Sequence, residues 1–227
     1  MKSFENIFRS IGYQAVLYFV VGGLLFGSQP HVGTQGASLL SFYDSHSTRI
    51  YIATVILGFG VLSILWFSQA LATALADAGV GGWGRAQTAA STALAALLFL
   101  HLTITATLAY TADSISPQFA SGLNDLSWVL QLLAFFPAAM VVMSGSFGLH
   151  RAGAISKRWF LSGVSVMALL LLGTTTYAAD GFWAVDGAYT RVIAPAFFLL
   201  WIAVASRFLS RQPSELRAPY RNAVSAA

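Results

Sequence analysis

The feature that most constrains this chain is a series of long apolar stretches that contain almost no charged residues. A helix that crosses a bilayer needs about 20 mostly apolar residues, because the hydrocarbon core is about 30 Å thick. We assign six candidate spans, which cover residues 11–27, 50–76, 86–111, 123–150, 159–179 and 191–209. Uniformly apolar runs lack the alternation that is typical of membrane β-strands. The sequence therefore predicts an all-α, polytopic membrane helix bundle of about six transmembrane helices.

Composition supports this fold class. Charged residues make up 9% of the chain and hydrophobic residues 57%, whereas soluble domains carry about 25% charged residues. Such a chain has too few charges to cover a water-facing surface. It contains no cysteine, which excludes a disulfide framework, a catalytic thiol and a cysteine-ligated metal. We interpret residues 1–209 as one transmembrane bundle and residues 210–227 as a flexible polar cytoplasmic tail.

The distribution of positive charge predicts the orientation. Cytoplasmic loops of membrane proteins carry an excess of lysine and arginine. In a six-helix topology, all but two of the 12 basic residues fall on one side, and the exceptions are Arg49 and Arg191. We therefore predict an integral membrane protein of the plasma or bacterial inner membrane, with both termini cytoplasmic. This topology explains the positive net charge, and no basic stripe with interleaved aromatic residues indicates a nucleic-acid partner.

Polar residues collect on the predicted outer side of the membrane. They are Asp44, Asp113, Asp125, Asp180, Asp186, His31, His46, Arg49 and Arg191. The simplest interpretation is that these are solvated loop charges, because exposed charges usually contribute little. His31, Asp44 and His46 are also suitable metal ligands, but their spacing is a weak pattern and predicts no metal site. No cofactor follows from the sequence.

His101 lies inside the third predicted helix, about 15 Å below its outer end at 1.5 Å per residue. An ionisable residue at such a depth is a functional candidate, because its charged form is costly in lipid. The alternative is a neutral imidazole that forms a hydrogen bond to a neighbouring helix and holds the bundle together. Both interpretations stay open at the level of sequence.

We predict a pocket that opens to the outer side, with His101 at its base and aspartates at its rim. Its other predicted lining residues are Thr105, Gln131, Tyr177, Asp186 and Arg191. If the protein is an enzyme, His101 would act as the acid or base. Asp113, Asp125 or Asp180 would assist it.

Two prolines fall within predicted helices. Pro137 lies in the middle of the fourth and is expected to kink it, because proline removes a backbone hydrogen bond and its ring clashes with the preceding turn. Pro195 lies in the first turn of the sixth, where we expect little effect.

Three functional classes remain open. The first is an accessory or binding subunit of a membrane complex, which fits the absence of glutamate and lysine from the predicted spans. The second is a small membrane enzyme that acts on a lipid or isoprenoid, and the third is a transporter of a small solute or ion. The expected partners are membrane lipids, other membrane subunits or an apolar small molecule. The positions of the lysines exclude a retinal Schiff base within a helix, because Lys2 and Lys157 lie outside the spans.

Overall fold

The computed structural model describes residues 2–211, with side chains for residues 10–209. This part of the chain forms helices and no β-strand. In order, they are α1 (Lys2–Phe26), α2 (Gly36–Ser45), α3 (Ser47–Asp77), α4 (Gly81–Tyr110), α5 (Pro117–Leu133), α6 (Phe135–Arg151), α7 (Lys157–Gly173) and α8 (Ala194–Arg211), with a π-helical turn at Tyr189–Ile193 before α8. Most of the predicted tail, residues 212–227, lies outside the described residues.

The helices have the length and composition of membrane spans. Four are long and apolar enough to cross a bilayer: Ser47–Asp77, Gly81–Tyr110, Pro117–Arg151 (α5 and α6 together) and Tyr189–Leu209. A shorter apolar helix, Ser10–Phe26, forms most of α1. The predicted helical membrane bundle is therefore confirmed. The remaining predicted span corresponds to α7, whose 17 residues are at the lower limit of about 17 for a crossing.

The fifth predicted span is shorter than expected. The sequence prediction extended it to residue 179, but α7 ends at Gly173. The hydroxyl groups of Thr174, Thr175 and Thr176 each donate to the carbonyl three residues earlier, at 2.7 to 2.8 Å. Such local bonds compete with the helical hydrogen-bond pattern. The apolar pattern therefore continued past the point where the threonines favour a turn.

The fourth predicted span contains a break. A single residue, Ala134, separates α5 from α6, three residues before Pro137. Because proline has no N–H, it leaves the carbonyl of Leu133 without its helical partner, and the ring pushes that turn away. The helix is therefore interrupted one turn before Pro137, where the sequence predicted a kink.

Pro195 has a larger effect than expected. It cannot donate to the carbonyl of Arg191, which would be its partner in an α-helix. The turn before it is π-helical, and the N–H of Ala194 bonds to the carbonyl of Tyr189, five residues earlier. Single π-helical turns are frequent at functional sites, and this one carries Arg191.

The helix packing differs between the two ends of the bundle. Near the N-terminus of α1, a Cβ on Gly12 would collide with Ser206 of α8, so the two helices are in close contact there. Further along α1, no atom lies within 4 Å of the position that a Cβ on Gly23 would occupy. The bundle is therefore tightly packed at one end and leaves space beside α1 nearer the other.

A buried amide links three helices inside the packed half. The Nε2 of Gln87 on α4 donates to the hydroxyl of Ser68 on α3 at 3.2 Å. The hydroxyl of Ser144 on α6 donates to the Oε1 of Gln87 at 2.6 Å. All three side chains are fully buried. Hydrogen bonds of this kind stabilise helix contacts in a membrane, because lipid offers no competing partner.

Candidate functional site

The space beside α1 is a cavity of about 590 Å³. This volume lies within the range of about 300–1,000 Å³ that is typical of small-molecule sites. Residues from α1, α3, α4, α5, α6, α7 and α8 form its walls, which are mostly apolar. Its larger polar side chains are Gln29, His101, Trp128, Gln131 and Arg191. A mostly apolar cavity with a few polar groups is the usual form of a ligand site.

The cavity has a lateral opening between α1 and the start of the last helical span. Leu24 on α1 lines the cavity and is 79% exposed, and Val192 on the π-helical turn lines it and is 61% exposed. Both side chains lie on the apolar surface of the bundle, which would face lipid. Gly23 lies at the same opening and adds no side chain to obstruct it.

The cavity extends well below His101. Leu94 lies seven residues earlier in α4 and also lines it, which places that part of the wall about 10 Å further from the polar end. His101 is therefore not at the base, where the sequence analysis expected it. The polar side chains gather at one end, and the rest of the cavity is apolar.

A short segment between α1 and α2 covers the polar end. We call residues 29–32 the strap. Hydrogen bonds attach it to α5, and the shortest of them run from Trp128 Nε1 to Pro30 O (2.9 Å), from Asn124 Nδ2 to His31 O (3.1 Å) and from Gln29 Nε2 to Ser127 Oγ (2.7 Å). The α5 residues follow a spacing of three and four, so they lie on one face of the helix.

Asp186 holds the other side of the strap. Its Oδ2 accepts the N–H of Val32 at 2.9 Å and a hydrogen bond from the Nδ1 of His31 at 2.7 Å. The carboxylate is buried, whereas the imidazole is largely exposed. Burial acts to raise the pKa of Asp186, but the bonds from Val32 and His31 outweigh it, and the net effect lowers this pKa.

Arg191 connects the strap to the cavity. Its Nε donates to the carbonyl of Asp186 at 2.6 Å, and its Nη2 donates to the carbonyl of Gln29 at 3.1 Å. Nη2 lies 3.7 Å from Asp186 Oδ2, and the guanidinium carbon lies 4.7 Å from the centre of the Trp128 ring. Nη2 is also 3.2 Å from His31 Nδ1. His31 Nδ1 donates its proton to Asp186, so it cannot also accept a hydrogen bond from Arg191.

The remaining nitrogen of Arg191 is uncommitted. Nη1 forms no hydrogen bond to any residue from 10 to 209, although Arg191 lines the cavity. Each Nη atom of an arginine carries two N–H groups. Two N–H groups of this side chain therefore have no partner among residues 10–209.

His101 has features of both roles considered for it. Its Nδ1 bonds to the carbonyl of Ser127 at 2.9 Å and so links α4 to α5. Because a carbonyl only accepts, Nδ1 carries the proton. In the neutral ring Nε2 is then an acceptor, and it has no hydrogen-bond partner in the described part of the chain. One nitrogen joins two helices, and the ring also lines the cavity.

The other predicted pocket residues have different surroundings. Gln131 lines the cavity, and its Nε2 donates to the carbonyl of Thr190 at 3.3 Å. Thr105 is fully buried and its hydroxyl bonds to carbonyls of its own helix. Tyr177 is exposed and does not line the cavity. The structure therefore brings Gln131 together with His101 and Arg191.

The acids proposed to assist His101 are not part of the cavity wall. Asp113 and Asp180 are exposed. Asp125 accepts the N–H of Gly33 at 3.1 Å, just beyond the strap. An enzyme mechanism that pairs one of these acids with His101 thus has no support from the arrangement of the wall.

The weak metal candidates do not form a site. Among the described residues, no three side chains of the ligating types histidine, cysteine, aspartate and glutamate are grouped for a metal ion. His31 bonds to Asp186, while Nδ1 of His46 bonds to the carbonyl of Phe42 at 2.9 Å. Asp44 is exposed. The separation follows from the fold, because the first lies on the strap and the other two at the end of α2.

Sequence reasoning missed several members of the site. Gln29 and Trp128 were not among the predicted pocket residues. A signal was present in α5, where Asn124, Ser127, Trp128 and Gln131 occupy positions i, i+3, i+4 and i+7. This spacing places polar or amphipathic groups along one helix face.

The fold and the cavity define the class of this protein as a helical membrane protein with a ligand-sized cavity among its spans. No family model, curated protein or solved structure matches the chain.

The lowered pKa of Asp186 predicts a loss of stability in acid. The stabilisation that this carboxylate provides is complete above its ordinary pKa of 3.8 and is lost as the pH falls through the lower value of the folded state. We expect the temperature of the unfolding midpoint to decrease when the pH is lowered from 4 to 3. In Asp186→Asn this temperature should decrease less, because the variant has no carboxylate at this position. The exposed Asp113→Asn is the control and should behave like the unsubstituted protein. An equal decrease in the protein with and without Asp186 would contradict the role of this carboxylate.

Proposed function

We propose that this protein binds an amphiphilic, lipid-like molecule that enters the cavity from the bilayer. The observation that carries the proposal is the lateral opening into an apolar cavity whose polar groups lie at one end. A ligand with an apolar body and a polar head satisfies both features. Its body fills the apolar part, and its head meets the polar groups of Gln29, Gln131 and Arg191.

The packed half of the bundle favours binding over transport. Phe67, Leu71 and Leu75 of α3 are almost completely buried, and they fill the bundle beyond the apolar end of the cavity. A transported solute would need a continuous route between the two ends. None of these three residues lines the cavity.

The proposal develops the accessory or binding subunit expected from sequence. Membrane lipids or an apolar small molecule are the proposed partners at the cavity, and other membrane subunits are proposed partners for the outer surface of the bundle. We also propose that the strap faces the outer side, with both termini cytoplasmic. Arg85, Arg151 and Arg207 support this orientation, because they lie at helix ends opposite the strap.

The test blocks the lateral opening. Gly23→Trp places an indole ring where no atom lies within 4 Å of the new Cβ, so the helix can accept it. Gly122→Trp is the matched control, since this α5 glycine also has open space around it and does not line the cavity. We expect the purified protein to carry a bound amphiphile, measured by native mass spectrometry with analysis of the extracted lipid. The ligand should be lost from Gly23→Trp and kept in Gly122→Trp.

Equal ligand content in both variants would contradict the proposal, as would a protein that purifies folded with no bound amphiphile. A difference between the two variants cannot be explained by general effects of an added tryptophan, because both proteins carry one.

A further inference from the structure

We infer that the head of the bound molecule is a carboxylate on a single acyl chain. This inference rests on the proposed function, because it requires the cavity to be a binding site. It specifies the head group that the polar end recognises. The presence of a cavity does not by itself specify that group.

The donors at the polar end point to an acceptor head. Nη1 of Arg191 has two N–H groups without a partner among residues 10–209, and the amide of Gln131 uses one N–H for Thr190. A carboxylate has two oxygens and accepts bonds from both donors. Hydrogen bonds between a guanidinium and a carboxylate are about twice as strong as those between neutral groups.

The charged donor at Arg191 favours an ionised head over a neutral one. Asp186 approaches Arg191 only to 3.7 Å, on the Nη2 side, and its Oδ2 already accepts bonds from Val32 and His31. Arg191 lines a mostly apolar cavity, where a charge is poorly solvated. An anionic acceptor would form charge-assisted hydrogen bonds with the N–H groups of Nη1, and these are stronger than the bonds of a neutral acceptor. A phosphate would bring more negative charge, and among residues 10–209 Arg191 is the one arginine or lysine in the wall of this cavity.

The size of the cavity favours a single chain. At about 30 Å³ per water-sized group, about 590 Å³ holds on the order of twenty such groups. A fatty acid of ordinary length is of this size, whereas a phospholipid with two chains is much larger. Any excess length would extend through the lateral opening into the bilayer.

The test compares two probes that differ only in the head. Radiolabelled dodecanoate and dodecanol are titrated against the full chain in lipid nanodiscs at pH 8, with empty nanodiscs subtracted. We expect dodecanoate to bind at least tenfold more tightly than dodecanol. Arg191→Gln should weaken dodecanoate binding by at least tenfold and dodecanol binding by much less, so that the affinities for the two probes become similar. Retained dodecanol binding also shows that the variant is folded, and Gly23→Trp should remove binding of both probes.

The outcomes separate the two proposals. Equal affinities in the unsubstituted protein, or a dodecanoate affinity that Arg191→Gln does not change, would overturn the carboxylate inference alone, provided that Gly23→Trp still removes dodecanol. If neither probe binds, or if Gly23→Trp affects neither, the cavity is not the binding site and the proposed function fails as well. If Arg191→Gln binds neither probe, the inference is judged on the unsubstituted protein alone. It then holds only if that protein binds dodecanoate at least tenfold more tightly than dodecanol.

Discussion

Replacing Arg191 with leucine is expected to loosen the strap and to lower the free energy of unfolding by about 3 kcal/mol. The substitution leaves the buried carboxylate of Asp186 without its nearby cation, and it removes the donors to the carbonyls of Gln29 and Asp186. Leucine provides apolar bulk similar to that of the arginine stem. The loss of packing therefore lowers the stability less than the loss of the ion pair and the hydrogen bonds. Denaturant unfolding measures the stability, and hydrogen exchange at Val32, whose N–H bonds to Asp186, reports the strap directly.

Arg49→Leu is the matched control for this prediction. Arg49 is the other arginine at the same end of the bundle, and it is exposed near Gly27. We expect its loss to change stability by less than about 0.5 kcal/mol, as for most surface substitutions. If the two leucine variants were equally stable and Val32 stayed protected from exchange in both, Arg191 would not hold the strap.

Replacing Gln87 with alanine is expected to destabilise the bundle by about 2 kcal/mol. Two interhelical hydrogen bonds are lost, each worth on average about 0.6 kcal/mol in a membrane, and the missing side chain leaves a cavity that costs further stability. The effect reaches three helices, because the amide joins Ser68 on α3 to Ser144 on α6. Thermal unfolding of the purified protein measures it.

Gln69→Ala is the control for Gln87→Ala. Gln69 is also a glutamine in the packed half of the bundle, but it is exposed, and its side-chain contact to Thr88 is long at 3.5 Å. We expect this variant to unfold close to the temperature of the unsubstituted protein. Similar losses in both variants would mean that the buried amide contributes no more than an exposed one.

Much of the fold could be predicted from local sequence. The apolar runs placed the spans because length and apolarity are properties of each segment by itself. Pro137 predicted the break between α5 and α6 for the same reason, since the missing N–H acts within one turn. The errors were also local: the threonines after Gly173 ended α7 early, and Pro195 accompanied a π-helical turn. In both cases a hydrogen-bonding preference outweighed the apolar pattern.

The candidate site could be predicted only in part. His101, Gln131 and Arg191 were identified because a polar group within an apolar run is costly and so is noticed. Gln29 was missed because a polar residue in a loop is unremarkable until its partners are known. Its bond to Ser127 joins residues that are 98 positions apart, and no local pattern connects them.

The sequence by itself determined that this chain forms apolar helices suited to a bilayer, because hydrophobicity and helix length act within each segment. Only the tertiary structure decided where those helices separate. Contact between Gly12 and α8 at one end, and open space beside Gly23 nearer the other, create a cavity that no single helix contains. The tertiary structure also decided which donors stay free, since the strap and Asp186 occupy two nitrogens of Arg191 and leave Nη1. These features depend on contacts between distant segments, which a pattern along the chain does not encode.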